Sequence, residues 1–200
     1  MTIENRKIKW AFLCSFWGKN AHDIIKLYAQ KKLMHTEISL VIYEQEPCGA
    51  AEIATATNIE TLFLSKNNYE NNAAYQQTLS DVLKKRNIDF IFLLGYQHII
   101  KETMLSAFPN RIINIHPSLF PSFLGTKTAI QDALDYGVKI TGITTHIIDH
   151  KIDYGTILFQ RAIEVAENDT FESLYPKFSK EGVAIIKRTI QHMNATLLKS

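Results

Sequence analysis

Asn114 and His116 lie two residues apart at the end of an apolar run, and Pro117 follows at once. In an extended strand that spacing turns both side chains to one face, and the proline ends the strand beside them. An amide and an imidazole converging in this way suit acyl chemistry. The asparagine donates to a carbonyl oxygen that gains negative charge, while a group that titrates near neutrality donates to the same oxygen or moves a proton. Asp153 can supply a carboxylate that orients His116 or holds a proton-accepting water. Spacing alone leaves a second reading open, in which the pair caps a turn, so the surrounding elements have to decide.

Those elements read as a doubly wound sheet. Short β-branched and aromatic runs recur at Ile8 to Cys14, Ile38 to Tyr43, Thr61 to Leu64, Phe90 to Leu94 and Ile112 to His116, with helical patterns between most of them. Such alternation predicts an α/β fold with a mostly parallel central sheet and helices on both faces. Tyr75, Leu79, Val82 and Leu83 share one helical face, as do Ile24, Ile25 and Tyr28. Asn20 with Asp23 has the form of a helix cap followed by a first-turn acid, and Asp169 with Glu172 resembles a capping box. The second pair opens a long terminal helix with an apolar stripe from Phe171 to Leu197, in which Pro176 and Gly182 are expected to interrupt the first half. A short helix to Tyr136 and two strand-like runs, Ile140 to Ile148 and Thr156 to Glu164, extend the sheet. The stretch from Lys66 to Asn72 reads as a turn or loop. No linker or internal repeat divides the chain, so residues 1–200 are expected to form one domain.

In such a sheet ligands gather beyond the carboxyl ends of the strands. That rule gives weight to Ser15 to Asn20, Gly95 to His98, Asn114 to Gly125 and the loop from Asp149 to Gly155. Composition narrows the partners. Lys and Arg total 22 against 20 Asp and Glu, a net charge of +2, which provides no broad basic field for nucleic acid. Cys14 and Cys48 form neither a disulfide framework nor a zinc knuckle, so a reducing cytoplasm and no metal are expected. Met1 to Lys9 is polar and unlike a signal peptide, and no apolar run approaches the roughly 20 residues of a membrane span. The expectation is a soluble cytoplasmic protein acting on small molecules, away from membranes, as a monomer or homodimer.

The longer context is more specific. Residues 111–126, RIINIHPSLFPSFLGT, are followed by Val138-Lys139-Ile140-Thr141-Gly142, by His146-Ile147-Ile148-Asp149 and by Ile152-Asp153-Tyr154-Gly155. Together they closely resemble the folate-dependent formyltransferase family. The resemblance extends over most of the chain and implies a Rossmann-like formyltransferase fold. The implied reaction is transfer of a formyl group from the co-substrate 10-formyltetrahydrofolate to a primary amine. Asn114, His116 and Asp153 match the family's catalytic positions. Tyr96, Gln97, His98, Ile99 and Ile100, with Asp149, match its folate pocket, while Ile99 and Ile100 read equally as core side chains on pattern alone. His146 matches a family position near the site, although a lone histidine on a strand reads as structural.

The acceptor half departs from the family pattern. Where relatives have a glycine-rich, serine-containing turn for a phosphate, this chain has Phe16-Trp17-Gly18-Lys19-Asn20. Gly18 and Asn20 match, and Lys19 replaces the serine with a side chain able to pair with phosphate. Asn72 and His98 stand where arginines are common in relatives, and Glu181 matches a carboxylate that contacts ribose hydroxyls. The implied acceptor is the glycinamide amine of phosphoribosylglycinamide, in purine synthesis. An amino sugar carried on a nucleotide, or a folate- or nucleotide-binding protein without efficient transfer, are the alternatives.

Overall fold

The computed structural model of the protein describes residues 6–199, so part of the polar stretch Met1 to Lys9 lies outside the described residues. Fourteen elements follow one another along the chain: β1 (Ile8–Cys14), α1 (Lys19–Ala29), β2 (Thr36–Tyr43), α2 (Gly49–Ala56), β3 (Glu60–Phe63), α3 (Asn72–Lys85), β4 (Phe90–Leu93), α4 (Glu102–Ala107), β5 (Ile112–His116), α5 (Ala129–Tyr136), β6 (Ile140–Ile147), β7 (Ile157–Glu164) and α6 (Phe171–Lys199), with a single 3-10 turn at Lys66–Asn68 after β3. The strands form one seven-stranded sheet in the order β3-β2-β1-β4-β5-β6-β7. Five are parallel, and β6 and β7 are added antiparallel at one side. This is the mostly parallel α/β architecture that the sequence predicts.

Strand β1 is the middle one of the five parallel strands, and its residues show why a continuous apolar run is needed there. Trp10, Phe12 and Cys14 enter a core with α1, α2 and α6, whereas Ala11 and Leu13 enter a second core with α3 and α4. A strand covered on both faces has no side left for polar residues. A buried polar bridge fastens α6 to this centre: Trp10 Nε1 donates to Asn194 Oδ1 at 2.9 Å, and Asn194 Nδ2 donates to Thr36 Oγ1 at 2.8 Å.

Several helix boundaries differ from the sequence reading. The residue that caps α1 is Gly18, in a left-handed conformation with φ 71°, and Asn20 sits inside the first turn. A Cβ on Gly18 would stand 2.7 Å from that of Ala50, so both the backbone conformation and the close approach of α2 require glycine. At the start of α6 the reciprocal cap belongs to Thr170 and Ser173, one residue later than Asp169 and Glu172. Thr170 Oγ1 accepts the Ser173 N–H at 3.4 Å, and the Thr170 N–H donates to Ser173 Oγ at 3.0 Å. Asp169 binds the Ser173 hydroxyl, the Ala166 N–H and Lys177 instead. The α6 helix also runs unbroken through Pro176 and Gly182. Pro176 is on the exposed face, where water can take up the carbonyl it leaves without a helical partner. In the Lys66 to Asn72 stretch, Asn71 accepts the Ala74 N–H at 2.9 Å and Asn72 already opens α3.

Candidate active site

Beyond the carboxyl ends of β1, β4 and β5, where the strand order reverses, the chain encloses a cavity of about 380 Å³. Asn114 and His116 project into it from β5. Strand β6 is antiparallel to β5 in a register that sets His146 opposite Asn114, and Asn114 Nδ2 lies 3.3 Å from His146 Nε2. Asp153 arrives from the loop between β6 and β7. That loop returns sharply onto β6: a Cβ at Gly155 would stand 1.8 Å from the Ile147 carbonyl oxygen, so position 155 admits no side chain.

The Asp153 carboxylate stands between two imidazoles. Its Oδ2 accepts the Gly125 N–H at 2.8 Å and is 3.5 Å from His116 Nδ1, while Oδ1 is 3.6 Å from His146 Nε2. The second nitrogen of His116, Nε2, lies 3.0 Å from the Phe123 carbonyl oxygen. His116 thus has an oxygen atom near each ring nitrogen, which fixes the plane and direction of the ring. His146 is different. Burial pushes its pKa down from 6.5 to about 4, against the pull of Asp153 and with the help of repulsion from His116. It is neutral at pH 7, which leaves the Asp153 charge facing His116.

One wall of the cavity is the segment after β4. Tyr96, Gln97, His98, Ile99 and Ile100 all line it, as Asp149 and Ile152 do from the β6–β7 loop. Ile100 is buried and packs in the second core as well as lining the cavity, whereas Ile99 is exposed. The segment has no strand partner of its own. Buried Gln76 of α3 holds its far end, donating to the Ile99 carbonyl at 2.8 Å and accepting the Lys101 N–H at 2.9 Å. Tyr96 is joined to Tyr75 through their hydroxyls, and burial pushes both phenols upward, Tyr75 to about 12.

The acceptor-side residues are less gathered. Asn20 lines the cavity, whereas Gly18, Lys19 and Glu181 are not among its lining residues. Lys19 pairs with Asp23 one turn along α1, and Glu181 accepts from Arg161 Nε at 2.6 Å. Asn72 begins α3 and also lies off the cavity. The Trp17 ring packs 4.6 Å from the His22 ring, while Phe16 is exposed. Opposite Asn20, α6 contributes Tyr175, Phe178, Ser179 and Gly182, and the loop after β5 contributes Lys127. The α6 residues escaped sequence reasoning although their spacing of three, one and three marks a single helical face.

Among the described residues no group of His, Cys, Asp and Glu side chains is arranged to hold a metal ion, and no helix is long and apolar enough to cross a membrane.

Residues 8–190 match the family described as formyl transferase. The chain is 34% identical over 172 residues to the phosphoribosylglycinamide formyltransferase of Bacillus subtilis, which covers 86% of this chain and 87% of that protein. Among solved structures it is similar to glycinamide ribonucleotide transformylase 1 from Symbiobacterium toebii, with TM-score 0.91, 31% identity, and 96% and 90% of the two chains covered. It is also similar to the phosphoribosylglycinamide formyltransferase from Bacillus halodurans, with TM-score 0.87, 33% identity, and 92% and 94% covered.

Proposed function

This chain belongs to the formyl transferase family, and we propose that it moves the formyl group of 10-formyltetrahydrofolate to the glycinamide amine of phosphoribosylglycinamide, a step of purine synthesis. The observation that carries this reading is the convergence of Asn114, His116 and Asp153 on one cavity, in a chain whose relatives over most of its length are named for that reaction. The nucleotide-linked amino sugar and the binding-only alternatives are not favoured by those relatives.

The cavity suits a folate. Its volume of about 380 Å³ is within the range of small-molecule sites, and apolar Leu93, Ile100 and Ile148 stand beside exposed backbone of the Gly95 to Ile100 segment, as a flat ring with a polar edge requires. When bound, 10-formyltetrahydrofolate supplies the formyl carbon. The roles of the chain follow from its geometry. Neutral His146 accepts one N–H of the Asn114 amide and so turns the other toward the reacting oxygen. His116 donates to the same oxygen, which replaces the Phe123 carbonyl as the acceptor at Nε2. Negative charge growing on that oxygen as the amine adds is thus met by two donors already in place. Asp153 orients His116 and takes the amine's proton through a water, and that proton passes to the folate nitrogen as its bond to the formyl carbon breaks and tetrahydrofolate leaves.

Tyr96, Gln97, His98, Ile99, Ile100 and Asp149 form the folate half. Asn20 begins the acceptor half, with Gly18, Lys19 and Glu181 reached from the α1 turn and α6. The protein works in the cytoplasm on small molecules, as one domain and as a monomer or homodimer.

A spectrophotometric assay with 10-formyltetrahydrofolate and phosphoribosylglycinamide, run beside His116→Ala, tests the reading. Robust turnover that falls by at least about a hundredfold in the variant is expected. Folate binding without turnover on this acceptor would refute it and send the search to amino-sugar nucleotides.

A further inference from the structure

A buried carboxylate with no part in the chemistry above stands behind the folate half of the cavity. Glu44 lies one residue past β2, and its side chain is 7% exposed. One of its oxygens accepts the Ser15 hydroxyl and the other meets His98 Nε2. Ser15 Oγ in turn accepts the Gln97 N–H at 3.0 Å. A single side chain from the end of β2 therefore closes a ring of hydrogen bonds. The ring joins the residue that follows β1 to two consecutive residues that follow β4, and both of these line the cavity.

Backbone pairing does not provide this link. The last bond between these neighbouring strands is from the Leu94 N–H to the Leu13 carbonyl, and the chain from Gly95 onward leaves the sheet. Gln76 secures its far end at Ile99 and Lys101, so the near end depends on Ser15 and Glu44. His98 is fixed from three directions: Glu44 at Nε2, the Tyr96 ring edge-on at 5.4 Å and the Tyr75 ring edge-on at 5.9 Å. Its Nδ1 has no hydrogen-bond partner among the described residues. Burying a carboxylate is costly, and well-packed apolar residues of similar volume serve stability as well or better. The arrangement makes sense as orientation: an imidazole backed by a carboxylate, with one nitrogen left for a ligand.

We propose that Glu44 is a positioning residue for the formyl donor, acting through Ser15 and His98 to fix the Gln97–His98 stretch of the cavity wall and to present His98 Nδ1 to a polar atom of the folate. This rests on the formyl-transfer reading of the cavity. It adds Glu44 as the support of His98, which the sequence placed in the folate pocket at a position where relatives commonly have an arginine.

The test compares Glu44→Gln, His98→Gln and the double variant with the wild-type protein by steady-state kinetics with 10-formyltetrahydrofolate and phosphoribosylglycinamide, alongside thermal unfolding. Each single variant is expected to raise the donor KM about tenfold, the loss of one charge-assisted hydrogen bond, while kcat and the acceptor KM change by less than about threefold. The double variant is expected to match the single ones, because both break the same link. His98→Gln, at a partly exposed side chain, reads that link independently should Glu44→Gln fail to fold. An unchanged donor KM in a folded variant would overturn the proposal. So would additive effects, or a drop in kcat that tracks a lowered Tm. Absence of formyl transfer by the wild-type protein would instead overturn the reading of the cavity on which the proposal stands.

Discussion

At Asp153 two histidines a few ångströms apart are put to opposite uses. His116 has an oxygen atom near each ring nitrogen, whereas His146 is buried and held neutral, with a pKa of about 4. This division makes separable predictions. Asp153→Asn keeps the Gly125 contact but removes the charge beside His116, and should lower kcat by about a hundredfold or more with little change in either KM. Asn114→Ala should act likewise, since it removes a donor needed only as charge develops. Equal loss in KM and none in kcat, in either variant, would reassign these residues to ground-state binding. The Asn114 and His116 pair was legible in the sequence, because strand alternation and Pro117 fix both direction and position. Asp153 was found through the surrounding string, since nothing local marks a carboxylate 37 positions beyond His116 as its neighbour. Glu44 and Gln76 were not found at all. Their importance lies in partners that the fold alone brings close, and an isolated Glu or Gln reads as an ordinary polar residue.

The elements place these side chains through a few local devices. Register between β5 and β6 sets His146 against Asn114, the absence of a side chain at Gly155 lets the loop carry Asp153 back over β6, and the cap at Thr170 and Ser173 starts α6 so that Tyr175, Phe178 and Gly182 face the cavity. Replacing Thr170 by alanine should cost about 1 kcal/mol in denaturant unfolding, the usual loss of an N-terminal cap, while Glu172→Ala, which removes a first-turn acid, should cost less. The opposite order would restore the cap to Asp169 and Glu172. Sequence patterns located every strand within about two residues. Caps were harder, because Asp, Asn, Thr and Ser cluster at both helix starts and only hydrogen-bond geometry tells which residue closes the first turn. The interruption expected at Pro176 and Gly182 did not occur, and the reason at Pro176 is related. A proline on the solvent side of a long, well-packed helix loses one hydrogen bond but none of the burial that holds Leu174, Phe178 and Ile185.

The whole molecule is a sheet whose strand order reverses beside β1, with the cavity at the point of reversal and walls drawn from β4, β5, the β6–β7 loop and α6. Its stability is linked to the site through His146. The folded chain resists protonating this ring until about pH 4, whereas the unfolded chain takes up the proton near 6.5. More protons are therefore bound by the unfolded state between those values, so stability should fall as pH drops through that window, by on the order of 3 kcal/mol in all. Urea unfolding at pH 7 and at pH 4.5 should show this fall, and His146→Gln, which has no proton to gain, should flatten it. The central claim concerns where the formyl carbon goes. The most direct measurement follows carbon-13 from formyl-labelled 10-formyltetrahydrofolate by NMR in the presence of phosphoribosylglycinamide. The account predicts that the label appears in the new amide of the acceptor with wild-type protein and stays on the folate with His116→Ala. Label released as free formate, or acceptor left unlabelled by an active protein, would contradict it.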